Sequence, residues 1–300
     1  KQQKRTILQK MMVNYAKFGA SNPATNILSE DELNKLQPAQ IAELIKSLLG
    51  YQHKILYYGP KLVGDVKGIL NTVHVVPASG LKPVPTETAF TTQTFNNTVY
   101  VVDYDMKQAE IVILTEGDKY DANNIPLITM YNEYFGGGMS SVVFQDLRES
   151  KALAYSCYSR FNLPNKLTKK SFNYSYIGSQ ADKMGDALKG MTDLLNNMPK
   201  SDVSFTSAKE MLNAEMSTQR ITKSDILFAY LSAMDLGLNY DIRKTVFDKL
   251  PSLNFDEIKK FQNETISNKP TTIVVVAKKE NIDTKVLEKY GTIKFVTLKE

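Results

Sequence analysis

Three consecutive glycines, Gly136-Gly137-Gly138, constrain the fold of this chain more than any other feature. An apolar stretch with helical spacing runs from about Ile125 to Phe135 in front of them, starting behind Asn124 with Pro126 in its first turn. A second helical stretch behind them carries Phe144, Leu147 and Arg148, and Ala154 to Phe161 then reads as a strand. Residues without a Cβ break the first helix and admit backbone conformations closed to others. Ser140 or Ser141 is placed to cap the second helix by accepting from its free N–H groups. The glycines are not a phosphate loop: no Gly-Lys-Ser/Thr follows them, and a helix rather than a strand leads in.

Around this core the pattern is strands first, then helices, with strands returning late. Thr98–Asp103 and Ala109–Thr115 read as paired strands with Asp105-Met-Lys-Gln as the turn region. Ser171–Gly178 is a further strand, with Phe172, Tyr174 and Tyr176 on one face. Helical stretches lie within 181–198, 204–219 and 224–237. After them come an amphipathic helix at Leu253–Phe261 with Asn254 and Glu257 as a cap pair, the strand Thr272–Ala277, and a helix through Val286 and Leu287. This order predicts an α+β fold with a mixed, mostly antiparallel sheet and helices packed on one face.

The chain also repeats itself at low identity. Leu36 to Leu49 has helical apolar spacing at Ile41, Leu44, Ile45, Leu48 and Leu49, followed by strand-like Lys54–Tyr58 and a helix from Val63 to Leu70. About 217 residues later the Leu253 helix, the Thr272 strand and the Val286 helix follow in the same order. Ile7-Leu8 and Met11-Met12 fall on Ile226-Leu227 and Tyr230-Leu231 at nearly the same offset. Two copies of one unit are therefore expected. Residues 1–82 would be the C-terminal portion of a preceding copy whose front is missing here, and 83–300 the complete second copy. Pro77-Ala-Ser-Gly-Leu-Lys-Pro-Val-Pro-Thr86 is the connection between them. The chain does not begin with methionine, which fits a piece of something longer.

Composition removes several classes. With 42% apolar residues in 300 the chain can bury a core, and no run approaches the roughly 18 residues of a membrane span, so membrane insertion is not expected. The net charge of +5 comes from lysines spread among acids; Lys166, Lys169 and Lys170 form a local cluster, which reads as solvated surface and not as a nucleic-acid tract. Cys157 is the sole cysteine and sits in an apolar strand, where it reads as a small buried hydrophobe. His53 and His74 lie far apart in the sequence, in no metal-ligand spacing, and read as structural.

The run Tyr131-Asn-Glu-Tyr-Phe-Gly-Gly-Gly-Met-Ser-Ser-Val-Val-Phe-Gln-Asp-Leu-Arg-Glu-Ser-Lys-Ala-Leu-Ala-Tyr155 resembles the C-terminal half of the M16 (insulinase/pitrilysin) zinc metallopeptidases. The resemblance implies that Arg148 and Tyr155, seven residues apart, bind the peptide substrate and stabilise the tetrahedral intermediate. It gives Gly136, Gly137, Gly138, Ser140 and Ser141 a structural part. The family zinc motif, His-x-x-Glu-His, occurs nowhere in the chain, so the resemblance places Zn²⁺ in a partner half, in the same longer chain or a second subunit, with none bound here. The chain alone is then expected to be inactive. Ala152 departs from the glycine usual in the family before Leu-Ala-Tyr, a change that matters only where φ is positive. Two other accounts stand beside this one: a separate non-zinc subunit of a two-chain peptidase, and a non-catalytic structural relative.

Overall fold

The computed structural model describes residue 3 and residues 6–297. Among the described residues, six strands form one sheet in the order β3-β4-β2-β5-β1-β6, where β1 is Thr98–Asp103, β2 Gln108–Lys119, β3 Ser156–Asn162, β4 Lys170–Gln180, β5 Thr271–Ala277 and β6 Thr292–Phe295. The β3–β4, β4–β2 and β2–β5 pairs are antiparallel, and β1 runs parallel to both β5 and β6. The fold is α+β with a mixed sheet, as the order of elements implies.

The expected pairing of the first two strands fails. β1 and β2 do not pair with each other: β5 enters between them, with Val101 opposite Val275 and Ile111 opposite Val275 from the other side. The reason is burial. Ile273, Val274, Val275, Val276 and Ala277 are buried on both faces, and such a strand gains most at the centre of a sheet.

Alternation along the strands sorts side chains onto two faces. Val99, Val101, Ala109, Ile111, Ile113, Cys157, Ile177, Ile273 and Val275 face the larger cluster, built with helices α5 (Ile125–Asn132), α6 (Met184–Asn196), α7 (Asp202–Thr218) and α10 (Phe255–Thr265). Asn254 and Glu257 form the expected capping box of α10. Gln262 of α10 is fully buried, and its Nε2 donates to the Leu194 and Leu195 carbonyls at 2.7 and 2.6 Å, satisfying the C-terminal end of α6.

Val102, Val112, Leu114, Val274 and Val276 face the opposite side, where Ile7, Leu8, Met12, Val13 and Ala16 cover them from the helical segment Thr6–Phe18. These residues, expected to belong to a preceding copy, thus lie on this sheet. Their repeat counterparts are placed differently: Ile226 and Tyr230, on the helix Ser224–Asp235, are exposed.

Residues 23–94 contain no buried side chain. The expected helices form at Pro38–Ser47 and Val63–Val73, yet Leu44, Ile45, Leu48 and Leu49 are exposed. The strand expected at Lys54–Tyr58 does not form. A strand needs neighbours for its backbone groups, and among the described residues the sole bridge near it joins Tyr51 to Lys82.

Replacing Gln262 with Leu leaves the Leu194 carbonyl unpaired in the core, while the Leu195 carbonyl keeps the Ser267 hydroxyl at 3.0 Å. It is expected to lower unfolding stability by about 2 kcal/mol, read as a fall in the urea midpoint at unchanged slope.

Candidate functional site

The glycine run does its work through space rather than through unusual dihedrals. α5 begins behind Asn124 with Pro126 in its first turn and continues in a wider helical turn over Glu133–Gly137. A Cβ on Gly136 would lie 2.3 Å from the Ser159 carbonyl oxygen and 2.5 Å from its nitrogen, so this helix end rests directly on the β3 backbone. One on Gly137 would lie 2.8 Å from the Asn132 oxygen, and Gly138 is extended with φ −141°. None of the three has the positive φ that glycine is freest to adopt.

Of the two candidate caps, Ser141 serves. It is buried and its Oγ accepts from the Phe144 N–H at 3.4 Å, whereas the Ser140 hydroxyl lies 3.8 Å from the Met211 sulfur. The helix then widens over Phe144–Ser150, buries Leu147, and carries Arg148 in its last turn. The Arg148 guanidinium stacks over the Phe144 ring at 4.8 Å, with Nε 3.7 Å from a Glu149 oxygen, and about half of the side chain (46%) meets solvent.

The turn from this helix into β3 has a well-defined end. The Leu153 N–H closes on the Leu147 carbonyl at 2.8 Å and the Lys151 N–H on Asp146 at 3.0 Å. Between them Ala152 has φ +50°, in the left-handed region that favours glycine. Tyr155 leaves the turn with its N–H donating to the Gly178 carbonyl at 3.0 Å.

Its ring lies over Gly178 on the sheet face that carries Tyr174 and Tyr176; a Cβ on Gly178 would sit 2.5 Å from the Tyr155 ring and hydroxyl. Across the ladder Gly178 pairs with Glu110, and the Tyr155 O–H donates to Glu110 Oε1 at 2.5 Å. The Tyr176 O–H donates to Glu110 Oε2. Glu110 is only 3% exposed, so both phenols donate to a buried carboxylate, a stronger acceptor than a neutral oxygen. Burial, reinforced by the bond to Glu110, pushes the Tyr176 phenol far above the ordinary tyrosine range, so Tyr176 keeps its proton. A cavity of about 310 Å³ opens here between Tyr155, Tyr158, Tyr176 and Glu110, with Leu8 and Gln9 on its rim.

Arg148 and Tyr155 therefore stand at the two ends of one short turn, both partly exposed, Tyr155 at 39%. Sequence reasoning missed Glu110, Tyr176 and Gly178 as parts of this arrangement. The signal was available in Ala-Glu-Ile-Val-Ile-Leu, where a carboxylate interrupts an apolar strand.

The remaining candidates fall elsewhere. Cys157 is buried, its thiol 3.6 Å from the Val143 carbonyl, and burial raises its pKa to about 11, which suits a packed side chain and not a nucleophile. His53 and His74, distant in sequence, are brought together: the chain doubles back through Val63–Val73, and their Nε2 atoms lie 3.0 Å apart. His53 Nδ1 donates to the Tyr51 carbonyl, so its Nε2 accepts from His74. Among the described residues no group of three His, Cys, Asp or Glu gathers as metal ligands, and no helix is long and apolar enough to cross a membrane. Lys166, Lys169 and Lys170 pair with Glu87 and Glu116 at the rim of a wide cleft.

The family model described as "Peptidase M16 inactive domain" matches residues 63–212, half of the chain. Three solved structures share the fold. A peptidase M16 inactive domain from Pseudomonas fluorescens has a TM-score of 0.65 at 15% identity, over 89% of this chain and 64% of that one. A conserved protein from Enterococcus faecalis V583 has 0.66 at 14%, over 87% and 60%. A protease from Helicobacter pylori has 0.60 at 13%, over 88% and 66%. The chain spans less than two thirds of the length of each. No curated protein matches it.

Two substitutions check the geometry of the turn. Gly136→Ala drives a methyl into the β3 backbone and is expected to cost roughly 2–3 kcal/mol. Ala152→Gly relieves the left-handed strain and is expected to gain about 1 kcal/mol. Thermal unfolding of the two variants should move the midpoint in opposite directions.

Proposed function

The chain belongs to the peptidase M16 family through its inactive domain, and we propose that it is the C-terminal, non-zinc half of a zinc metalloendopeptidase. In this reading a partner half carries His-x-x-Glu-His and its Zn²⁺, and this chain supplies a wall of the chamber that encloses a peptide. Residues 1–82 are the tail of one M16-type unit, and 83–300 are the next unit, which bears the site. Bound in that half, Zn²⁺ would supply an activated water, and the charge developing on the scissile carbonyl oxygen would call for donors from this chain. Arg148 and Tyr155 hold the substrate backbone between them and stabilise that charge.

The observation that carries the reading is the shared placement of Arg148 and Tyr155. Both are partly solvent-facing and flank one tightly hydrogen-bonded turn, in an order and spacing that a scaffold has no need to keep. The single-chain and two-subunit arrangements put the same residues to the same use. The structural-relative account is disfavoured because it leaves an exposed guanidinium and a phenol anchored on a buried carboxylate without a task.

Mixing the chain with a zinc-bearing half and following a quenched fluorogenic peptide tests the proposal. Arg148→Ala and Tyr155→Phe should each slow hydrolysis by about a hundredfold or more while leaving the fold intact. Wild-type rates in both variants would end the catalytic reading. The isolated chain should show no hydrolysis with or without added Zn²⁺.

A further inference from the structure

The chain has two histidines, and the fold brings both to one point. Their Nε2 atoms lie 3.0 Å apart across 21 positions of sequence, with the ring planes at 84°. Each ring stands on anchored backbone. Just before His53, the Lys82 N–H donates to the Gly50 carbonyl and the Gln52 N–H to the Lys82 carbonyl, both at 2.8 Å. His53 Nδ1 donates to the Tyr51 carbonyl at 2.6 Å, which leaves its Nε2 lone pair facing His74. An imidazole held in this way by a backbone carbonyl is oriented as metal-ligating histidines are. His74 caps the C-terminal end of the helix Val63–Val73, its N–H closing on the Leu70 carbonyl at 2.7 Å, where the helix dipole favours positive charge. No side chain between residues 23 and 94 is buried, so this stretch has no core of its own to hold it.

We propose that His53 and His74 form a two-imidazole site for a divalent transition-metal cation of the copper or nickel type, which clips segment 50–53 to the end of the helix Val63–Val73. Metal–imidazole bonds are about 2.0–2.1 Å long; two at a right angle put their nitrogens about 2.9 Å apart, and at the tetrahedral angle about 3.3 Å. The observed 3.0 Å fits the right angle, the arrangement of neighbouring ligands in tetragonal Cu²⁺ and Ni²⁺ rather than in tetrahedral Zn²⁺. One proton has to move. His74, the donor of the pair, shifts it from Nε2 to Nδ1, while His53 already has the tautomer that the ion needs. Both lone pairs then turn to one ion by rotation of the rings, neither of which is buried. Two protein ligands leave the remaining positions to water, so the ion is exchangeable. It stabilises the arrangement that brings the rings together in proportion to its occupancy.

Salts of Cu²⁺ and Ni²⁺ are the probes, added to the whole chain. With less than one equivalent of Cu²⁺, electron spin echo modulation should count two equatorial imidazoles on one ion, and these can only be His53 and His74. His53→Gln and His74→Gln should each leave one imidazole, and the double variant none. By calorimetry, Ni²⁺ affinity should fall about tenfold or more in each single variant, and Zn²⁺ should bind wild type more weakly than Ni²⁺ does. Amide exchange reads the clip itself: Ni²⁺ should slow exchange at residues 51–53 and at Lys82 in wild type, and leave the double variant unchanged. A single imidazole on Cu²⁺ in wild type overturns the proposal. Equal Ni²⁺ affinity in wild type and double variant does so too, since the ion is then adventitious and bound elsewhere. Unchanged exchange in wild type overturns the clip. The imidazole count in wild type needs no substitution, and it decides the matter where a variant does not fold.

Discussion

The insertion of β5 between β1 and β2 is the contact on which the other features depend. Its five consecutive buried residues from Ile273 to Ala277 bond β1 in parallel on one side and β2 antiparallel on the other. That pairing fixes the register of β2, and β2 in turn fixes β4 through Ile111 opposite Ile177 and Glu110 opposite Gly178. A slip of one residue along this ladder would turn Glu110 to the face of α5, α6, α7 and α10 and Ile111 to the opposite one. The chemistry around Tyr155 is therefore set by a hydrophobic strand more than ninety residues further along the chain.

Missing side chains matter at the site as much as present ones. Gly136 lets the end of α5 touch the β3 backbone, and Gly178 lets the Tyr155 ring cross the sheet to Glu110. Between them Ala152 holds a left-handed conformation that costs it more than it would a glycine. The strain is tolerated because the Leu153 and Lys151 N–H bonds close the helix end around it. Arg148 and Tyr155 are consequently borne by a turn closed by backbone hydrogen bonds.

Much of the fold was legible in the sequence. The capping box at Asn254 and Glu257, the helix start at Pro126 and the strands at Thr98–Asp103 and Thr271–Ala277 all follow from local chemistry and periodicity. The pairing of β1 with β2 was misread because a short connection suggests a hairpin, whereas the sheet places its most apolar strand between them. The strand at Lys54–Tyr58 had the right composition but no sheet among the described residues to join, and propensity alone does not make a strand. His53 and His74 meet only because a helix turns the chain back on itself.

By itself the sequence determined what is local: where helices start and stop, which faces are apolar, and that a guanidinium and a phenol flank one turn. Tertiary structure decided which strands are neighbours, that Glu110 receives two phenolic protons, and that the glycines serve close approach rather than unusual dihedrals. The division has a physical cause. Capping and periodicity are set within a few residues, whereas a buried carboxylate finds its partners 45 and 66 positions away only after the sheet has brought them together.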